Sequence, residues 1–213
     1  MKKLSALVIG ATGATGQEIV SQLLKDDYFE SVSIFVRREP NISHRKLVTH
    51  KVDFSKIEEH KELIKGDVLF SCLGTTIRTA GSKERQYLVD FTYQYEFAKI
   101  ASGNGVPFYS LVSSTGANEK SLIFYPKIKG KLEESIKKLP FETIQIFQPP
   151  TLIRQKNLIR IGEKLGIKIF DFLNSFGVLK SQKPLAVSIL AKVMVDHLKI
   201  RQKEKVKTIK TFH

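Results

Sequence analysis

The run Gly10-Ala11-Thr12-Gly13-Ala14-Thr15-Gly16 is the part of this sequence best suited to holding a ligand. It follows the apolar stretch Leu4-Ser5-Ala6-Leu7-Val8-Ile9 and opens an amphipathic one. Glycine permits a tight turn there and leaves no side chain between backbone and ligand. The free N–H groups and the helix dipole then face a pyrophosphate, with Gly10, Thr12, Gly13, Thr15 and Gly16 around it. The spacing is Gly-x-x-Gly-x-x-Gly, not the Gly-x-Gly-x-x-Gly of the commonest dinucleotide fingerprint. A second signal closes the next apolar stretch, which ends Val36-Arg37-Arg38 with Glu39 beyond. An NAD site usually places an acid there for the ribose 2′-hydroxyl. Two guanidinium groups suit a 2′-phosphate instead, because each makes planar, charge-assisted hydrogen bonds to it. NADP(H) is therefore expected over NAD(H). A third signal is Tyr125-Pro126-Lys127-Ile128-Lys129, which puts Tyr125 and Lys129 four apart on one helical face. An ammonium beside a phenol stabilises the phenolate, so Tyr125 could exchange a proton with a substrate oxygen while hydride moves to or from nicotinamide. In Ser113-Ser114-Thr115, at the end of an earlier apolar run, a hydroxyl could reach the same oxygen.

These residues need a frame. Apolar strands are expected at 4–9, 31–36, 47–52, 68–72, 108–112 and 143–147, and helices at 16–24, 56–64, 83–102 and 127–138. The strand runs are nearly continuous in apolar residues, as in strands buried on both faces. In the longest helix Leu88, Phe91, Tyr95 and Ala98 fall on one stripe. Such alternation predicts an α/β protein with a doubly wound parallel sheet. No linker divides the chain, so residues 1–213 read as one domain. After Pro149-Pro150 the alternation stops. Residues 150–184, with Phe170, Phe172, Leu173 and Phe176, read as a small C-terminal substrate-side segment or a closure of the core, before a last helix near 185–200.

Composition narrows the classes. At 42% hydrophobic and 26% charged the chain is ordinary globular protein, neither disordered nor collagen-like. No apolar run approaches the ~18 residues of a membrane helix. A single cysteine, Cys72, rules out an internal disulfide and a cysteine zinc cage, and the histidines lack helical metal-site spacing. A reducing, cytoplasmic compartment is expected. The net charge of +14 favours anionic partners. Its densest cluster, Lys199, Arg201, Lys203, Lys205, Lys207 and Lys210, reads as a solvated face. Removing residues 203–213 is expected to spare cofactor binding if that stretch lies outside the sheet. No nucleic-acid module is visible, so no specific nucleic-acid partner is expected.

The glycine turn, the Ser–Tyr–Lys order and the strand–helix rhythm resemble the short-chain dehydrogenase/reductase superfamily, in particular its atypical, extended-like members. Ser71-Cys72-Leu73-Gly74-Thr75-Thr76, Val89-Asp90, Leu111 to Ala117, Tyr125 to Gly130 and Phe147-Gln148-Pro149-Pro150 carry this likeness over most of the chain. The resemblance implies a Rossmann fold with Arg37 and Arg38 on the adenosine phosphate and Asp53 and Phe54 flanking the adenine. Leu73, Gly74 and Thr75 would line the ribose and nicotinamide side, and Pro149 and Thr151 would bound the nicotinamide ring. Ser114, Tyr125 and Lys129 would be catalytic, Ser113 a neighbour at the cofactor, and Lys129 would also reach the nicotinamide ribose. Two function classes follow. One is an NADP(H)-dependent oxidoreductase for a small carbonyl or alcohol. The other is a non-enzymatic NADP(H)-sensing protein that binds another protein. Oligomeric state is open, since helices 83–102 and 127–138 can cover the sheet or pair with a second subunit.

Overall fold

The computed structural model describes residues 3–153, 184–200 and 204–212. Along the chain run β1 (Leu4–Ile9), α1 (Ala14–Lys25), β2 (Phe29–Val36), β3 (Leu47–Lys51), a 3-10 segment (Phe54–Leu63) and β4 (Val68–Ser71). Then come α2 (Ile77–Ala80), α3 (Lys83–Tyr87), a π turn (Leu88–Thr92), α4 (Tyr93–Gly103), β5 (Phe108–Val112), α5 (Phe124–Lys137) and β6 (Thr143–Phe147). The described chain finishes with β7 (Leu152–Ile153), β8 (Leu185–Ala186), α6 (Val187–Leu198) and β9 (Val206–Ile209). Seven strands form one sheet in the order β3-β2-β1-β4-β5-β6-β9, every neighbouring pair parallel, and β7 pairs with β8 separately. The order reverses direction at β1, which opens a crevice beyond the carboxyl ends of β1 and β4.

Burial on both faces explains the unbroken apolar strands. On β1, Ala6 and Val8 pack with Ile19 and Leu23 of α1 and Leu190 and Met194 of α6. Leu7 and Ile9 pack on the other side with Phe97 of α4 and Leu132 and Ile136 of α5. Each such fully buried aliphatic side chain contributes roughly 1.5–3 kcal/mol. These two cores hold the strand ends, and therefore the site, in a fixed frame.

Three differences from the sequence expectation have physical causes. The helix expected at 56–64 is a 3-10 segment, because the Asp53 carboxylate accepts the Ser55 N–H (2.9 Å) and Ser55 hydroxyl (2.7 Å) and Lys56 leaves helical geometry (φ −123°). Such local side-chain bonds compete with the helix. The long helix is broken by the π turn, whose extra residue shifts the buried stripe. Phe97, Ala98 and Ala101 are fully buried, whereas Leu88 is 41% exposed. The basic C-terminal stretch is not simply a solvated face: Val206–Ile209 is the edge strand beside β6. Lys205 donates to the Leu139 carbonyl (3.1 Å) and Lys199 pairs with Asp26 (2.5 Å). Residues 154–183, most of the expected substrate-side segment including its phenylalanines, lie outside the described residues.

Candidate cofactor-binding and catalytic site

The glycine turn sits at the topological switch. Gly10 has φ +78°, and a Cβ there would lie 2.4 Å from the Cys72 carbonyl carbon, so only glycine lets β1 and β4 end this close together. A Cβ on Gly16 would lie 2.1 Å from the Gly10 oxygen. The turn closes through Gly13 N–H to Gly10 O (2.9 Å), and Gly13 is the N-cap of α1 with no side-chain cap. The first-turn amides of α1 are thus left to an anion. Thr12 and Gly13 are exposed and Thr15 is buried beneath them. This cradle fits a pyrophosphate. Arg37 and Arg38 are exposed where the neighbouring strand β2 ends.

Asp53 is exposed, and its hydrogen bonds from Ser55 hold its carboxyl below the ordinary value. Phe54 departs from the expectation that it flanks adenine. Its ring is 5% exposed and packs against Tyr93 (5.9 Å) and Phe97 (6.4 Å), which leaves only backbone for that role. Leu73, Gly74 and Thr75 follow β4 directly. The Thr75 N–H donates to Asp90 Oδ2 (3.0 Å), and the Thr75 carbonyl accepts from Gln86 (3.1 Å).

The catalytic candidates converge between β5 and α5. Tyr125 and Pro126 lie in the first turn of α5, after the N-cap Ile123. Proline is tolerated there because first-turn N–H groups have no intrahelical partner. Lys129 is one turn further on and 2% exposed, with Nζ 6.0 Å from the Tyr125 ring centre and 3.5 Å from the Val112 carbonyl at the end of β5. Ser114 Oγ is buried and has no hydrogen-bond partner within the chain. Tyr125 is 39% exposed as a residue, while its phenol lies inward beside Ser114, Lys129 and Asp90. Desolvation raises the Tyr125 phenol above its ordinary value, Lys129 draws it down, Asp90 pushes it up, and the Ser114 hydroxyl beside it draws it down slightly. Burial works against the Lys129 ammonium, but Tyr125, Asp90 and Glu133 outweigh that and hold its pKa above the usual lysine value.

Ser113 has a different task. Its hydroxyl donates a short hydrogen bond to the buried Glu133 carboxylate, whose two oxygens also accept from Gln148 (both 3.0 Å). Glu133 thereby ties α5 to the residues following β5 and β6. Pro149 is buried and its carbonyl accepts the Thr115 N–H (2.9 Å), while Thr151 is exposed and its carbonyl accepts from Leu185 (2.9 Å). Cys72, at the mouth of β4, has its thiol pushed up to about 12, chiefly by burial.

Ser114, Tyr125 and Lys129 are brought together, and the glycine turn, Leu73–Thr75 and Pro149 stand at the same carboxyl edge of the sheet. Sequence reasoning assigned no role to Asp90, Glu133 or Gln148. Asp90 ion-pairs with Lys129 (3.3 Å) and is fully buried. One signal was available: Gln86, Asp90 and Gln94 recur every fourth residue, a polar stripe facing inward.

The family described as NAD(P)H-binding matches residues 10–139, more than half of the chain. Protein HTATIP2 of Rattus norvegicus is 32% identical over 177 residues, 81% of this chain and 73% of that protein. Protein FMP52, mitochondrial, of Candida albicans is 32% identical over 199 residues, 91% of this chain and 87% of that protein. The fold matches a UDP-N-acetylglucosamine 4-epimerase from Methanobrevibacter ruminantium (TM-score 0.72, 16% identity, 100% of this chain and 77% of that one). It also matches a short-chain dehydrogenase from Burkholderia cenocepacia in complex with NADP (TM-score 0.65, 12% identity, 98% and 88%). The expectation of a cytoplasmic compartment is overturned by the fungal relatives, which are named mitochondrial. A single cysteine speaks to redox chemistry, not to address. A Rossmann sheet with a glycine cradle at its switch point, matched to these relatives, has one family reading: the chain belongs to the NAD(P)H-binding family that its residues 10–139 match, together with proteins HTATIP2 and FMP52.

Proposed function

We propose that the protein is an NADP(H)-dependent oxidoreductase acting on a small carbonyl or alcohol. The observation that supports this best is the buried Ser114 hydroxyl beside the Tyr125 phenol, with Lys129 one helical turn on, 6.0 Å from the Tyr125 ring centre. When bound, the nicotinamide supplies or takes up the hydride. Ser114 orients the substrate oxygen by hydrogen bonding. In reduction Tyr125 gives its proton to that oxygen, and the resulting phenolate is held by the Lys129 ammonium until solvent returns a proton. Lys129 would also hold the nicotinamide ribose. The α1 amides and the glycine cradle take the pyrophosphate, and Arg37 and Arg38 take the 2′-phosphate.

Tyr125→Phe keeps the ring and removes the transferable proton. Loss of general acid catalysis costs about 10²–10⁴-fold in turnover, with NADPH affinity nearly unchanged. The check is NADPH oxidation across a carbonyl panel beside an NADPH titration. No turnover by the unaltered protein on any carbonyl would favour the sensing class instead.

Cofactor choice is tested separately. Arg37→Ala with Arg38→Ala is expected to weaken NADPH about tenfold per guanidinium, at ~1.4 kcal/mol each, and to leave NADH almost unaffected. Fluorescence titration with both cofactors reads this, and equal affinities in the unaltered protein would remove the NADP preference.

A further inference from the structure

The Lys129–Asp90 pair (3.3 Å) is the ion pair among the described residues in which both side chains are buried, at 3% and 0% exposure. A lysine that only had to reach a ribose and a phenolate would need no such partner. Burying a carboxylate costs several kcal/mol unless every oxygen is engaged. Oδ2 accepts the Thr75 N–H (3.0 Å), whereas Oδ1 has no hydrogen bond and is compensated by the Lys129 ammonium 3.3 Å away. The backbone that carries Asp90 is also fixed. Gln94 donates to the Asp90 carbonyl (2.9 Å) across the π turn, and Ser71 of β4 donates to Gln94 (2.8 Å). π turns inside helices are often found at functional sites.

We propose that Asp90 is a positioning residue that joins the cofactor-side loop to the acid/base pair, holding the Thr75 amide with one oxygen and Lys129 with the other, and so keeps Tyr125 a proton donor. The inference rests on the acid/base reading of Tyr125 given above. The groups facing this cluster are Tyr125, Lys129 and Glu133 from α5 and the Cys72 thiol from the end of β4. Glu133 is engaged by Ser113 and Gln148. With Asp90 ionised, Lys129 is already neutralised, and ionising Tyr125 places a second negative charge on one ammonium. Without the Asp90 charge, the phenolate becomes the nearest counter-ion of Lys129 and forms more readily. Asp90 also pushes the Tyr125 phenol up, in keeping with this geometry. A tyrosine kept protonated favours delivery of a proton to a carbonyl, the reductive direction.

The test is an NMR titration of the full chain with ¹³C-labelled tyrosine, in which Tyr125→Phe assigns the signal. In Asp90→Asn the Tyr125 midpoint is expected to move to lower pH. In Lys129→Met it is expected to move to higher pH. Should the single Asp90 variant fail to fold, Asp90→Asn with Lys129→Met removes both buried charges together. Its midpoint is expected to lie well below that of Lys129→Met, because the Asp90 repulsion has gone with the Lys129 attraction. An unmoved or raised midpoint in Asp90→Asn, or a double variant matching Lys129→Met, overturns the proposal. The readout needs no turnover. Midpoints that move as expected in a protein inactive on every carbonyl support the role of Asp90 and remove only the oxidoreductase reading.

Discussion

Gly10→Ala is expected to abolish NADPH binding and to leave little folded protein at 37 °C. The backbone at Gly10 sits at φ +78°, where an L side chain costs about 1–2 kcal/mol. The added carbon would also stand 2.4 Å from the Cys72 carbonyl carbon and 2.6 Å from the Leu73 nitrogen. Those atoms belong to β4 and its exit, not to a flexible side chain, so relief requires β1 and β4 to separate at the crevice. Backbone overlap of this kind adds to the strain and takes the total beyond roughly 3 kcal/mol, a large part of the 5–15 kcal/mol that holds a domain together. Gly103→Ala is the control. Nothing stands within 4 Å of a Cβ there, and Gly103 ends α4. It should be neutral or stabilising by about 0.5–1 kcal/mol. Thermal melts and cofactor titrations on the two variants decide the matter. A Gly10→Ala protein that melts and binds like its parent would mean that the cradle does not depend on close strand approach.

Deleting residues 203–213 is the second change expected to do serious damage. It removes β9, whose Val206, Lys207, Thr208 and Ile209 lie in parallel register with Ile144 to Phe147 of β6. The Ile144 N–H donates to the Lys205 carbonyl (2.7 Å), and the Gln148 N–H donates to the Ile209 carbonyl (2.9 Å). Ile209 itself is 5% exposed in the α1–α6 core. Losing that side chain alone costs about 2–5 kcal/mol. At 2–4 °C per kcal/mol for a chain of this size, a loss near 3 kcal/mol lowers the melting temperature by about 6–12 °C. Cofactor affinity should fall too, because Gln148 and Pro149 follow β6 directly and Gln148 braces Glu133. Lys207→Glu, at an exposed position of the same strand, should leave both readouts nearly unchanged. Unaltered melting and NADPH binding after the deletion would show that the sheet holds without its edge.

Five strands of the large sheet, β1, β2, β4, β5 and β6, could be read from the sequence because they are paired on both sides and mostly apolar; β3, at one edge, was read from Leu47 and Val48 although none of its residues is fully buried. β9 could not. An edge strand pairs on one side only and tolerates lysines, which also discourage edge-to-edge association. Lys205, Lys207 and Lys210 around Val206 and Ile209 therefore look like a solvated tail. The glycine turn was legible because glycine is demanded at a strand–helix junction by both geometry and ligand. Ser114 over Ser113 followed from resemblance, and the engagement of the Ser113 hydroxyl by Glu133 gives a physical reason to separate the two. Glu133 and Gln148 stayed hidden, since a lone polar residue in a helix or loop carries no sign of inward direction until the strand ends are placed, and Asp90 could be read only through its stripe with Gln86 and Gln94. Phe54 misled in the opposite sense: an aromatic after a strand suits an adenine, yet its ring was needed by the core.

The crowding of Cys72 against the glycine turn matters at the bench. Raising its thiol from the ordinary 9.0 to about 12 lowers the thiolate fraction near neutral pH about a thousandfold. The chain has no other cysteine. Alkylation of the native protein is therefore expected to be slow although Cys72 is only partly buried, because the thiol is held protonated rather than held out of reach.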